Sequence, residues 1–98
     1  MILEGRLQTV AASAVRRWGE QRQLRLLTEE CGECIAKVNQ RERDRATDDQ
    51  LAAEVADVII TAVQARYILG PSVDAWIARK LDRLEMLIAD AEQTAVQP

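Results

Sequence analysis

Five carboxylates stand at two helical spacings in this 98-residue chain: Glu29, Glu30 and Glu33 in one segment, Glu54 and Asp57 in a later one. Glu30 with Glu33, and Glu54 with Asp57, are three residues apart, which on a helix brings Cβ atoms within roughly 5–6 Å and makes each pair a two-carboxylate claw. At about 100° per residue, Glu30 falls just outside Cys34 and Glu54 just outside Val58, so each claw is expected to border an apolar stripe. If the two segments pair antiparallel, the claws converge on one cleft. Like charges brought together there repel, so an unfilled cleft opposes folding and a bound hard cation reverses the sign. Claws that offer oxygen and no Cys or His suit Mg2+ or Mn2+, and Mg2+ commonly arrives with a phosphate-bearing substrate. Gly32 points the same way. It costs about 1 kcal/mol in a helix interior relative to Ala, which is easier to understand if something approaches the backbone closely. The bland alternative, five solvated surface acids, leaves the i, i+3 repulsions uncompensated.

Other chemistries are narrower. Histidine is absent, which removes imidazole bases, Ser-His-Asp and Cys-His pairs and Cys2His2 zinc sites. Cys31 and Cys34 form a C-x-x-C spacing, but in mid-helix between glutamates, where no helix N-terminus lowers a thiol pKa. Two thiols also supply only half of a zinc site, so apolar packing is the expected role, with a redox or zinc switch as a rival. A net charge of −3 and only three aromatics argue against a nucleic-acid binder. No apolar run approaches the roughly 20 residues of a membrane helix, and no signal-peptide stretch opens the chain, so no membrane association and a cytoplasmic location are expected.

The elements that must position the acids read as four helices, about 2–17, 20–43, 47–69 and 72–92, in a single all-α domain spanning 1–98. Leu3, Leu7, Val10, Ala11, Ala14 and Val15 recur at three and four, and Gly19 is a natural stop. Leu24, Leu27, Cys31, Cys34, Ile35 and Val38 form the second stripe. The charged stretch from Arg41 to Thr47 reads as a loop, and Thr47-Asp48-Asp49-Gln50 has the form of a capping box. Leu51, Val55, Val58, Ile59, Ala62 and Leu69 mark the third helix. Gly70-Pro71-Ser72 ends it and offers Ser72 as an N-cap. Ile77, Leu81, Leu84, Leu87 and Ile88 mark the fourth, with 94–98 expected to fray. Lys37 is placed to pair with Glu33 at i, i+4.

The joint pattern, EE-x-x-E followed after 20 residues by E-x-x-D, resembles the signature of the MazG-like all-α nucleoside triphosphate pyrophosphohydrolases. Trp18-Gly19-Glu20, Gln23-Leu24, Ala53-Glu54-Val55-Ala56-Asp57-Val58, Leu69-Gly70 and Lys80-Leu81-Asp82-Arg83-Leu84 resemble the phage- and prophage-type members, over about residues 18 to 89. Two departures stand out: Cys34 where Leu is usual after the third Glu, and Arg41-Glu42-Arg43 in place of a more Gly-containing turn.

The resemblance implies a four-helix MazG-like fold whose bundle is completed by dimerisation. It implies Mg2+ on Glu30, Glu33, Glu54 and Asp57, with Glu29 assisting, and hydrolysis of (d)NTP to (d)NMP and pyrophosphate in nucleotide-pool cleansing. Lys80 and Arg83 match positions expected to meet phosphate. Lys37 is a further substrate-side candidate, and Trp18 is expected either in the core at the helix turn or against a base. A chain this short buries little apolar surface, and Leu26, between Glu30 and Glu33 in projection, needs cover, so a homodimer or homotetramer is expected. The rival from another class is a non-catalytic helical adaptor that dimerises through the same stripes.

Overall fold

A computed structural model describes residues 2–96, which form four α-helices: α1 (Ile2–Trp18), α2 (Glu20–Glu42), α3 (Asp48–Leu69) and α4 (Ser72–Val96). No strand occurs among the described residues, and no helix is long and apolar enough to cross a membrane. The helix boundaries follow the sequence pattern closely except at the C-terminus, where α4 runs on to Val96 through the stretch expected to fray; Gln97 and Pro98 lie outside the described residues. The chain divides into two compact units, residues 1–68 and residues 69–98.

In the first unit α1 and α2 are joined by one residue. Gly19 adopts φ 94°, a left-handed conformation that only glycine enters cheaply, and its amide donates to the Val15 carbonyl at 2.8 Å. α1 thereby folds against α2 and buries Ala11 and Val15. α2 and α3 form an antiparallel hairpin. Gln23 Nε2 donates to Gln64 Oε1 at 2.9 Å at one end, and Arg41 pairs with Asp48 at the other. Arg16 ties α1 to α3 by donating to the Tyr67 hydroxyl at 3.3 Å.

The connection from α2 to α3 is built by two local motifs. Asp44 takes the left-handed position (φ 57°), its amide donating to the Arg41 carbonyl and the Arg45 amide to the Gln40 carbonyl, the paired bonds of a Schellman motif. Thr47 and Gln50 then close the capping box reciprocally. The Thr47 amide donates to Gln50 Oε1 at 2.9 Å and the Gln50 amide to Thr47 Oγ1 at 3.1 Å. At the start of α4, Ser72 is already helical and the Pro71 carbonyl accepts from the Ala75 amide, so Ser72 is the first residue of the helix rather than the cap before it.

The inward face of α2 differs from the expected stripe. Leu24, Ile35 and Val38 are exposed, whereas Gln23 is buried and Leu26, Leu27, Glu30, Cys31, Cys34 and Lys37 are half-buried. On α3 the inward face carries Leu51, Glu54, Val58, Thr61, Gln64, Ala65 and Ile68, leaving Val55, Ile59 and Ile60 exposed. The α2–α3 seam therefore mixes polar with apolar residues. A hydrogen-bonded amide pair and carboxylates hold positions where apolar residues would usually sit. The wholly buried set is small: Ala11, Val15 and Ala65 with Gln23, Thr61 and Gln64. In the second unit, the large apolar residues of α4 from Trp76 to Ile88 are all exposed.

Candidate metal centre

The hairpin brings Glu30 and Glu33 on α2 opposite Glu54 on α3, and one carboxylate oxygen from each lies within 4.8 Å of the others. Two features place these acids here. Glu30 lies two helical turns beyond Gln23, so the amide pair that fixes the end of the hairpin also sets its phase, and the capped start of α3 fixes Glu54 from the other side.

The electrostatics are those of an uncompensated anionic cleft. Glu30 is half-buried while Glu29 and Glu33 are exposed, so Glu30 has the least access to water of the α2 acids, as its place at the stripe edge suggested. Its pKa is raised above the ordinary glutamate value. Partial burial is the leading cause, followed by the charge of Glu33, that of Asp57, hydrogen bonding with Glu33 and the charge of Glu54. Glu30 Oε2 and Glu54 Oε2 are shut off from solvent with no hydrogen-bond partner. Buried acceptors without donors are rare, and a bound cation is one way to satisfy them. The donor set, three carboxylates and no sulfur or imidazole, fits a hard divalent ion, whose oxygen ligands stand at most about 4.2 Å apart for Mg2+. The observed spread needs only a small side-chain adjustment to meet that.

Asp57 is exposed and adds negative charge at Glu30 without joining the three-oxygen cluster; its main-chain carbonyl accepts from Thr61 Oγ1 at 2.9 Å. Glu29 is exposed and outside the cluster. Lys37 does not pair with Glu33: its ammonium donates to Gln40 Oε1 at 3.2 Å, three residues on along the same helix. Trp18 is not in the core. It is 54% exposed at the end of α1, beside a shallow groove formed with Val10, Ser13, Ala14 and Arg17. Cys31 and Cys34 are free thiols, half-buried in mid-helix. Among the described residues nothing lies within 4 Å of a Cβ built at Gly32, so internal packing does not explain that glycine. Lys80 and Arg83 lie exposed on α4.

The buried Gln23–Gln64 pair was not among the expected site residues. Its signal was available, since Gln23 and Gln64 lie at helical spacing from Glu30 and Asp57, but two glutamines read as surface until their pairing across the seam is seen. Comparison with family models, with curated proteins and with solved structures finds no match to this chain.

Proposed function

We propose that the chain is a MazG-like, Mg2+-dependent nucleoside triphosphate pyrophosphohydrolase that converts (d)NTP to (d)NMP and pyrophosphate in the cytoplasm. What carries the reading is the convergence of Glu30, Glu33 and Glu54, two of which also hold a buried carboxylate oxygen with no hydrogen-bond partner. The sequence signature that resembles this family names the same three acids.

In this proposal Glu30, Glu33 and Glu54 hold the metal, and Asp57 completes the negative field or closes in as a fourth ligand. A bound Mg2+ or Mn2+ neutralises phosphate charge and acidifies water. The water oxygen bonds to phosphorus as the P–O bond bridging the α- and β-phosphates breaks, and pyrophosphate leaves with the electron pair. The water's proton passes to a carboxylate, for which Glu29, exposed and one residue from the cluster, is the assigned acceptor. The resemblance implies Lys80 and Arg83 as phosphate-side residues, with Lys37 a further candidate and Trp18 a candidate for the base.

Assembly into a homodimer or homotetramer belongs to the same proposal, and α3 supports it. Val55 and Ile59 lie exposed on one side of α3. With Leu51, Ala52 and Ala56, and with Arg41 and Asp48 at one end, Val55 and Ile59 line an open apolar groove that a second copy would cover.

The test is a panel of NTPs and dNTPs incubated with Mg2+, with pyrophosphate scored separately from orthophosphate. Monophosphate and pyrophosphate in equal amounts, abolished by chelator, are expected. Orthophosphate alone would mean that a different bond is cut, and no release from any nucleotide would leave the helical adaptor as the better reading.

A further inference from the structure

Two amides meet inside the α2–α3 seam. Gln23 and Gln64 are 3% and 7% exposed, and one hydrogen bond, from Gln23 Nε2 to Gln64 Oε1 at 2.9 Å, joins them. Gln23 Oε1 is buried with no partner. A buried amide gives up its hydration, and one shared bond with an oxygen left over does not restore what was lost. Replacing both members of such a pair by apolar groups of the same shape is commonly neutral or stabilising. Stability alone therefore gives no reason for the pair.

The two faces of α2 supply one. At 100° per residue, the buried and half-buried side chains of α2 centre within roughly 5° of Gln23. The apolar stripe formed by Leu24, Leu27, Cys31, Cys34, Ile35 and Val38 centres about 70° away, and it leaves Ile35 64% exposed. A second rotation of α2, with Leu24, Ile35 and Val38 turned inward, is thus the one that apolar burial favours. In that rotation Glu30 would swing from about 20° to about 90° off the seam, and Glu33 from about 80° to about 150°. The carboxylate cluster would be dispersed, and Gln64 would lose its partner.

We infer that Gln23 and Gln64 are positioning residues: by pairing only in the observed rotation of α2, they hold Glu30 and Glu33 opposite Glu54 against the competing apolar-in rotation. They act as a buried polar residue does in a coiled coil, fixing one register at a cost in stability. The inference rests on the proposed function for the metal that the cluster holds, and the amides themselves take no part in binding it.

The experiment uses the full chain and the double variant Gln23→Met with Gln64→Met, which keeps side-chain length and removes both amides. In chelator the double variant is expected to melt at or above the parental temperature, whereas each single variant, leaving one amide alone, melts below both. Its Mg2+ affinity, read by calorimetry, falls by about tenfold or more. A soluble paramagnetic agent broadens the Ile35 and Val38 methyl resonances less than in the parent, because both side chains have turned inward. Adding Ile35→Gln and Val38→Gln, at positions exposed in the parent, removes the apolar gain of the second rotation and restores most of the Mg2+ affinity.

A double variant that melts well below the parent would make the pair a structural support and overturn the inference. So would parental Mg2+ affinity in the double variant, or a loss that Ile35→Gln with Val38→Gln does not rescue. If the double variant fails to fold, Gln23→Leu with Gln64→Leu repeats the test, and failure of both overturns the inference. Absence of Mg2+ binding in the parent would sink the proposed function and leave the rotation to the methyl resonances alone. Unchanged broadening at Ile35 and Val38 would then overturn the positioning role as well.

Discussion

Glu30 is where repulsion, partial burial and an unmet oxygen coincide, and its neutral amide counterpart separates these effects. Glu30→Gln keeps the shape and removes the charge. The metal-free variant should therefore melt at the same or a higher temperature than the parent, gain less on addition of Mg2+ and lose most turnover. The pH dependence has a definite sign. Because the folded-state pKa of Glu30 is raised, the folded protein holds this proton more tightly than the unfolded chain does. The contribution is fully present below the ordinary glutamate value and is lost as pH rises through the raised folded value. Thermal melts in chelator should thus show the parent losing stability across that window and Glu30→Gln losing less. With Mg2+ the trend should reverse, since ionised carboxylates bind the ion. A parental Mg2+ response in Glu30→Gln would exclude the cleft as the metal centre. At the neighbouring thiols, the pair Cys31→Ala and Cys34→Ala should leave metal-dependent turnover largely intact, because both are free, half-buried and outside the carboxylate cluster. Loss of activity with an unchanged circular dichroism spectrum would bring back the redox or zinc reading. Glu30, Glu33 and Glu54 were legible in the sequence because helical spacing fixes which carboxylates can share a side. Lys37 was not, because its flexible chain reaches Gln40 as easily as Glu33.

At the scale of elements, boundaries were readable wherever both partners of a local motif lie within a few residues. Thr47 and Gln50 announce the start of α3, and Gly19 the end of α1. Thr47→Ala should cost about 1 kcal/mol in denaturant-induced unfolding, the usual worth of an N-cap. The end of α2 was harder to read because its Schellman motif uses Asp44 where glycine is the common residue. Asp44→Gly should relieve the left-handed strain and raise stability by about 0.5–1 kcal/mol in the same assay, and a decrease would show that the Asp44 side chain makes a compensating interaction. The rotation of α2 away from its apolar stripe could not be read from α2 alone. Leu24, Ile35 and Val38 obey helical periodicity perfectly well, but the hairpin phase is set by Gln23 meeting Gln64, a pairing 41 residues apart.

For the whole molecule, apolar periodicity established four helices and could not say which apolar face meets which. All four helices carry exposed large apolar side chains, from Val10 on α1 to Ile88 on α4, while the wholly buried apolar residues are Ala11, Val15 and Ala65. Within residues 1–68 taken alone, Val10, Val55, Ile59 and Ile60 stay exposed, and the proposed assembly would cover apolar surface of this kind. Sedimentation at micromolar concentration should therefore show a species heavier than the 11.0 kDa chain. A fully active monomer would overturn the proposed assembly.

The outward apolar side of α3 changes what a mutational survey of this protein would look like. Tolerance usually tracks depth, with surface positions accepting almost anything. Under the proposed assembly Val55 and Ile59, each 40% exposed or more, should behave as interior positions, accepting Leu or Met and rejecting Lys or Asp. Arg22 and Arg25, on the outer side of α2, should accept nearly every residue but Pro. A tolerance map would then trace the contour of whatever covers α3, drawn from the phenotypes of single chains without any image of the covered state.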